Sequence, residues 1–194
     1  MDAHTSTKSK LRSEMRSLLA GMSADQMNAA SISICEHIAS THWLTAKAQI
    51  IGLYASIQCE ISLRALHDLL PDKRFAYPVC KPNNHLGFHI VEHVDELTPG
   101  HYNIPEPLSG KHPETHLSDI DLIFCPGLAF GMDGSRLGRG QGYYDRTLQA
   151  YEGLKIGIAL DEQIRHSVPH EHHDIKMSYL ASEKGIAATT PLKE

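Results

Sequence analysis

The stretch from Asp121 to Tyr151, DLIFCPGLAFGMDGSRLGRGQGYYDRTLQAY, constrains the fold of this chain more than any other. An apolar run of strand type, Leu122 to Cys125, enters a segment holding Gly127, Gly131, Gly134, Gly138, Gly140 and Gly142, six glycines in sixteen residues. The segment leaves through Tyr143, Tyr144 and Asp145 into a short helix expected to reach Tyr151. Glycine carries an entropic cost on folding, so this density points to a backbone that needs unusual dihedrals or must approach a ligand closely. Arg136 and Arg139 interleave the glycines and place positive charge where backbone N–H groups can converge. That combination suits phosphate. A second apolar run, Lys155 to Leu160, follows. Strand, loop, helix and strand thus fit within about 40 residues, the format of a βαβ crossover with parallel strands.

From Lys8 onward, Leu11, Met15, Leu18, Leu19 and Met22 recur at helical spacing, while Lys8, Arg12 and Arg16 form a basic stripe on another face. On spacing alone that stripe reads as a solvated face. Gly21 is a natural stop, and Ser23 with Gln26 forms a capping-box pattern opening a second helix. Gln49 to Ala55 reads as a buried strand followed by the polar turn Ser56 to Glu60. Glu60 admits two readings there: a ligand-side residue beyond the carboxyl end of a strand, or a first-turn acid of a helix over Ile61 to Leu70. Arg74 to Val79 and Leu86 to Val91 alternate as a hairpin, which adds antiparallel pairing. Asp95 to Asp119 is rich in Pro and Gly and reads as an irregular excursion, with Asn103 to Pro107 (NIPEP) its most structured part. Asp161 to Arg165 reads as a turn of helix and Gly185 to Thr189 as a last short strand. The expected class is α/β with a mixed, partly parallel sheet.

At 194 residues the chain fits one domain spanning 1–194, with residues 1–7 a polar, frayed tail. A net charge of −5 argues against a general nucleic-acid binder, so an anionic ligand needs a local basic site. No apolar run approaches the roughly 18 residues of a membrane span, and the first residues lack a signal-type apolar core. A cytoplasmic monomer is the expectation. Cys35, Cys59, Cys80 and Cys125 form no CxxC pair and read as reduced thiols. The run His166 to Asp174 carries four histidines around a proline and contains no HExxH, so solvated loop histidines are favoured over a zinc site.

Gly138, Gly140 and Tyr143 give GxGxxY where a Rossmann loop needs GxGxxG, and no GK[ST] of a Walker loop occurs. What remains is physical: backbone donors, two arginines and a helix start. Asp145 in that helix's first turn reads either as a Mg2+ ligand beside phosphate or as a plain N-terminal acid, and Asp174 is the candidate second carboxylate. A non-catalytic sensor of phosphorylated metabolites would need the loop but not Asp145, Asp174 or Glu60.

Taken together, PGLAF at Pro126 to Phe130, RLGRGQGYYD at Arg136 to Asp145, NIPEP, the pair His173 and Asp174, and KxxLR at Lys8 to Arg12 resemble the 5-formyltetrahydrofolate cyclo-ligase family across nearly the whole chain. The resemblance implies a single three-layer α/β domain. It also implies an enzyme that uses ATP and Mg2+ to cyclise 5-formyltetrahydrofolate, with or without a polyglutamate tail, to 5,10-methenyltetrahydrofolate. By position it makes Lys8, Arg12 and the loop residues Arg136, Leu137, Gly138, Arg139, Gly140, Gln141, Gly142, Tyr143 and Tyr144 the ATP site. Arg139 to Tyr143 and Glu60 then face the folate, Arg139 and Glu60 carry catalysis, and Asp145 and Asp174 hold Mg2+. Ser178 stands where many members of the family have a further acid.

Overall fold

The structure, a computed structural model, describes residues 3–171 and 174–190. His172 and His173, half of the histidine run and one member of the HD pair, therefore lie outside the described residues. Helix α1 (Ala3–Ala20) starts earlier than its apolar periodicity and stops at Gly21, whose N–H reaches back to Ser17 and Leu18. Helix α2 (Ala24–Ser40) opens with the expected capping box: the Gln26 N–H donates to Ser23 Oγ at 3.2 Å and the Ser23 N–H donates to Gln26 Oε1 at 2.9 Å. One-turn helices α3 (His42–Thr45) and α4 (Leu66–Leu69) and the short α5 (Tyr143–Leu148) complete the α-helical set among the described residues, beside several 3₁₀ turns.

The strands are β1 (Ile50–Gly52), β2 (Arg74–Lys81), β3 (His85–Val91), β4 (Thr98–Pro99), β5 (Pro105–Glu106), β6 (Glu114–Thr115), β7 (Leu122–Cys125), β8 (Ala129–Gly131), β9 (Arg136–Leu137), β10 (Leu154–Ile158), β11 (Ile164–Arg165), β12 (Tyr179–Ser182) and β13 (Gly185–Ala188). Eight form one sheet in the order β13-β12-β10-β7-β1-β2-β3-β6. The central strands β2, β1, β7, β10 and β12 are parallel, and β13, β3 and β6 join antiparallel at the edges. The mixed sheet is thus as the sequence pattern implies.

Period-two alternation makes three layers out of this sheet. Ile51, Leu122, Phe124, Ile156 and Ile158 enter one apolar core with Met15, Ile34, Ile38 and Leu66 of α1, α2 and α4. Ile50, Ile123, Cys125 and Leu180 enter the other with Leu148 of α5 and Phe130. A buried Leu or Ile stabilises the fold by about 1.5–3 kcal/mol, so strands buried on both faces explain why these segments read as unbroken apolar runs. Among the described residues no helix is long and apolar enough to cross a membrane.

The glycine segment is not one loop. Its first half folds into the β8–β9 hairpin, which pairs with β11 in a separate three-stranded sheet. Gly127 and Gly131 serve packing: an added Cβ would lie 2.6 Å from the Phe130 ring at the first and 2.2 Å from Asp133 Oδ1 at the second. Gly134 turns the hairpin at φ +86°, with its carbonyl accepting from the Met177 N–H at 2.8 Å. Gly138, Gly140 and Gly142 line the candidate site, together with Gly127. Gly134→Ala should destabilise the protein by about 2 kcal/mol or more, since it combines left-handed strain with a Cβ 2.5 Å from the Met177 carbonyl. Thermal denaturation is expected to show a midpoint about 5 °C lower. Gly110→Ala, where an added Cβ meets nothing within 4 Å, should leave the midpoint unchanged.

Other expectations are corrected in detail. The helix expected over Ile61 to Leu70 is one turn, α4, so Glu60 is not a first-turn helix acid. The excursion from Asp95 to Asp119 contains the small β4–β5 ribbon, which fixes NIPEP, and β6. Asp161 to Arg165 is a 3₁₀ turn (Asp161–Gln163) running into β11, and β12 is an additional strand, too short to stand out from its flanks. The four cysteines are free.

Candidate active site

From β1 the chain passes to β2 on one side, whereas from β7 it passes to β10 on the other. The boundary between β1 and β7 is therefore a topological switch point, where open α/β sheets place ligands beyond the carboxyl strand ends. A cavity of about 1070 Å3 lies there, reached by Tyr54 and Ser56 after β1 and by Pro126 and Gly127 after β7. All the residues expected from the sequence line it: Lys8 and Arg12 from α1, Glu60 from the loop after β1, the run Arg136 to Asp145, and Asp174.

Ion pairs organise the cavity wall. Lys8 Nζ donates to Asp174 Oδ2 at 2.8 Å and Glu171 Oε1 at 2.9 Å, tying α1 to the segment that follows β11. Burial works against the Lys8 charge, but these two partners outweigh it and raise its pKa. Arg12 Nε donates to the Gly138 carbonyl at 3.0 Å, and its guanidinium lies over Gly140, where an added Cβ would sit 3.8 Å from it. Arg139 grips Glu60 with Nε at 3.0 Å and Nη2 at 2.9 Å, bridging the glycine loop to the loop after β1. The basic stripe of α1 is therefore split by function: Lys8 and Arg12 face the cavity, whereas Arg16 is exposed.

Arg136 differs from Arg139. It is only 6 % exposed; Nη2 donates to Asp145 Oδ1 at 2.8 Å, Nη1 to the Pro126 carbonyl at 3.3 Å, and its guanidinium lies 5.4 Å from the Tyr144 ring centre. Arg136 thus braces the loop from behind. Leu137 likewise packs its side chain into the core at the edge of the cavity. The loop itself runs Gly138 to Gly142, with Gly140 at φ +111° and Gly142 at φ +71°. Among the described residues, the N–H groups from Gly138 to Asp145 donate to no protein acceptor. Eight unsatisfied amides beside Arg12 and Arg139 suit an anion with several oxygens.

Residues 4–183 match the 5-formyltetrahydrofolate cyclo-ligase family. The chain belongs to that family. It is 30% identical over 181 residues to the 5-formyltetrahydrofolate cyclo-ligase of Haemophilus influenzae, covering 90% of this chain and 96% of that one. The mouse 5-formyltetrahydrofolate cyclo-ligase is 29% identical over 197 residues, covering 94% and 97% respectively. The solved structure of Aquifex aeolicus 5,10-methenyltetrahydrofolate synthetase superposes with a TM-score of 0.83 at 29% identity, over 96% of this chain and 95% of that one. Family membership makes this chain an enzyme of the ligase class in folate metabolism.

As a member of the cyclo-ligase family the chain carries its two candidate metal carboxylates in different settings. Asp145 Oδ1 accepts from Arg136 and, at 3.3 Å, from the Ile175 N–H, leaving Oδ2 without a protein donor among the described residues. Asp174 Oδ2 accepts from Lys8 and from the Glu171 N–H at 2.7 Å. Among the described residues no cluster of three or more His, Cys, Asp or Glu could cage a metal. Such a donor set fits Mg2+, which takes one or two carboxylates and completes its shell with phosphate oxygens and water.

The cavity lining also holds residues that the motifs pointed to less directly. Glu106 and Asn103 come from NIPEP, Cys80 and Pro78 from β2, and Tyr102 from the turn before β5. The NIPEP signal was in the sequence, but its place in the cavity lining, on the strand β5 of the β4–β5 ribbon, is seen only in the structure. The thiol of Cys80 is pushed up to about 11, by burial first and then by the neighbouring Glu106 carboxylate, so it stays protonated.

Proposed function

We propose that this chain converts 5-formyltetrahydrofolate to 5,10-methenyltetrahydrofolate at the expense of ATP, releasing ADP and phosphate. The observation that carries this reading is one cavity joining two unlike halves: a cationic, amide-rich half of Arg12, Arg139 and Gly138 to Gly142, and a half drawn from the loop after β1, from β2 and from NIPEP, able to seat a flat heterocycle. The chemistry needs both halves. A formamide carbon is a poor electrophile and its oxygen a poor leaving group. In the reading proposed here the formyl oxygen attacks the γ-phosphorus, and the bond to ADP breaks. N10 then adds to the formyl carbon, loses its proton, and phosphate departs with the former formyl oxygen.

In this scheme Arg139 and the loop amides stabilise charge as it builds on the transferring phosphoryl group, and Arg12 and Lys8 hold the nucleotide on α1. Arg136 keeps the loop in place. Glu60 is a folate-side residue that holds Arg139 in position until substrate enters. Asp145 Oδ2 and Asp174 would hold Mg2+ against the phosphates, where the ion neutralises their charge. Purified protein should generate the near-ultraviolet absorbance of the methenyl product only when 5-formyltetrahydrofolate, ATP and Mg2+ are all present. No product from the complete mixture would refute the proposal.

A further inference from the structure

Five carboxylates line the main cavity: Glu60, Glu106, Asp145, Glu171 and Asp174. Four of them are paired with a cation: Glu60 with Arg139, Asp145 with Arg136, and Glu171 and Asp174 with Lys8. Among the described residues Glu106 has no cationic partner. Its one recorded backbone contact is the Cys80 N–H, which donates to Oε1 at 3.3 Å. The carboxylate is also fixed sterically, since it rests against Gly100, where an added Cβ would lie 2.5 Å from Oε2. The β4–β5 pairing of Thr98 with Glu106 and Pro99 with Pro105 sets the backbone that carries it. Half-buried, the group lines the cavity beside the protonated Cys80 thiol, which adds a second neutral contact.

A preplaced, half-buried carboxylate with no protein counter-charge is costly unless a ligand supplies donors to it. Resting on the cyclo-ligase reading above, we propose that Glu106 is a specificity-determining residue that receives the amidine-like donor edge of the pterin, its ring N–H and exocyclic amino group. Two carboxylate oxygens match two parallel N–H donors in the same way as they match a guanidinium. Glu60, whose Oε1 already takes two guanidinium donors from Arg139, is then left to govern the loop. This division puts the formyl group between the pterin end at Glu106 and the phosphate end at Arg139.

The test is calorimetric titration of 5-formyltetrahydrofolate, ATP, 6-methyltetrahydropterin and p-aminobenzoylglutamate into wild type, Glu106→Gln and Glu106→Asp. Glu106→Gln should weaken 5-formyltetrahydrofolate and the pterin fragment roughly ten- to hundredfold, the worth of a charge-assisted hydrogen-bond pair. ATP and p-aminobenzoylglutamate, which lack that edge, should bind as to wild type, which also certifies that the variant is folded. Glu106→Asp should recover part of the pterin affinity. Unchanged affinity for 5-formyltetrahydrofolate in Glu106→Gln, or an equal loss for all four ligands, would overturn the assignment. Failure of the wild type to bind 5-formyltetrahydrofolate would overturn the cyclo-ligase reading together with it.

Discussion

Arg139→Ala is expected to lower kcat by two to three orders of magnitude while leaving the thermal midpoint within a degree or two of wild type. The magnitude is that of removing one preplaced donor from developing transition-state charge, about 10²- to 10³-fold. The absence of a stability effect follows from the setting of the Arg139–Glu60 pair. The arginine side chain is 40% exposed and the glutamate 14%, so the pair is screened by solvent on one side. Such pairs contribute at most about 1 kcal/mol. Arg16, on the same helix face pattern as Lys8 and Arg12 but exposed and away from the cavity, is the control: Arg16→Ala should keep kcat within about twofold, as surface substitutions do not meet developing charge. Equal kcat losses in the two variants would remove the loop from the chemistry. A large fall in the midpoint of Arg139→Ala would instead make Arg139 a structural residue.

Local features of this chain were legible because their causes are local. The capping box of α2 depends on Ser23 and Gln26 three residues apart, and the β2–β3 hairpin depends on alternation around one short turn. The pairings that build the site are not local. Lys8 meets Asp174 across 166 positions and Arg139 meets Glu60 across 79, and no spacing rule reaches that far. The resemblance to a family brought these residues onto one list, but not into pairs. The β8–β9 hairpin was hidden for another reason: its glycines allow close packing by Phe130 and Asp133, and glycine in a sequence does not say whether the close neighbour is a ligand or the protein itself. The same ambiguity hid the difference between Arg136 and Arg139, two arginines three residues apart. Both line the cavity, but the first lies in β9 and is buried against Asp145 and the Pro126 carbonyl, whereas the second lies beyond the strand end and is solvent-exposed.

Asp145→Ala provides the other large effect, because it separates the two tasks that Asp145 can perform. The Arg136 side chain is 4% exposed, and truncating Asp145 leaves that guanidinium buried with only the Pro126 carbonyl and the face of Tyr144. Breaking a buried pair by removing one partner costs about 3–5 kcal/mol, so the midpoint of thermal denaturation should fall by about 10 °C. Asp145→Asn keeps an acceptor for Arg136 and should lose less stability, while turnover falls and the Mg2+ concentration needed for it rises. The double variant Arg136→Met with Asp145→Leu replaces the pair by apolar groups of similar size and should restore most of the midpoint, since buried ion pairs are rarely worth more than the packing they displace. It should not restore turnover, because the Arg136 brace of the loop and the carboxylate proposed to hold Mg2+ are both gone. If Asp145 only bound metal, the single Ala variant would lose activity with its midpoint intact; if it only braced Arg136, Asp145→Asn, which keeps that acceptor, would retain most of both. The expected pattern, a midpoint that falls in Asp145→Ala and is largely kept in Asp145→Asn while both variants lose turnover, is that of one carboxylate doing both, with Oδ1 holding Arg136 and Oδ2 left for the ligand.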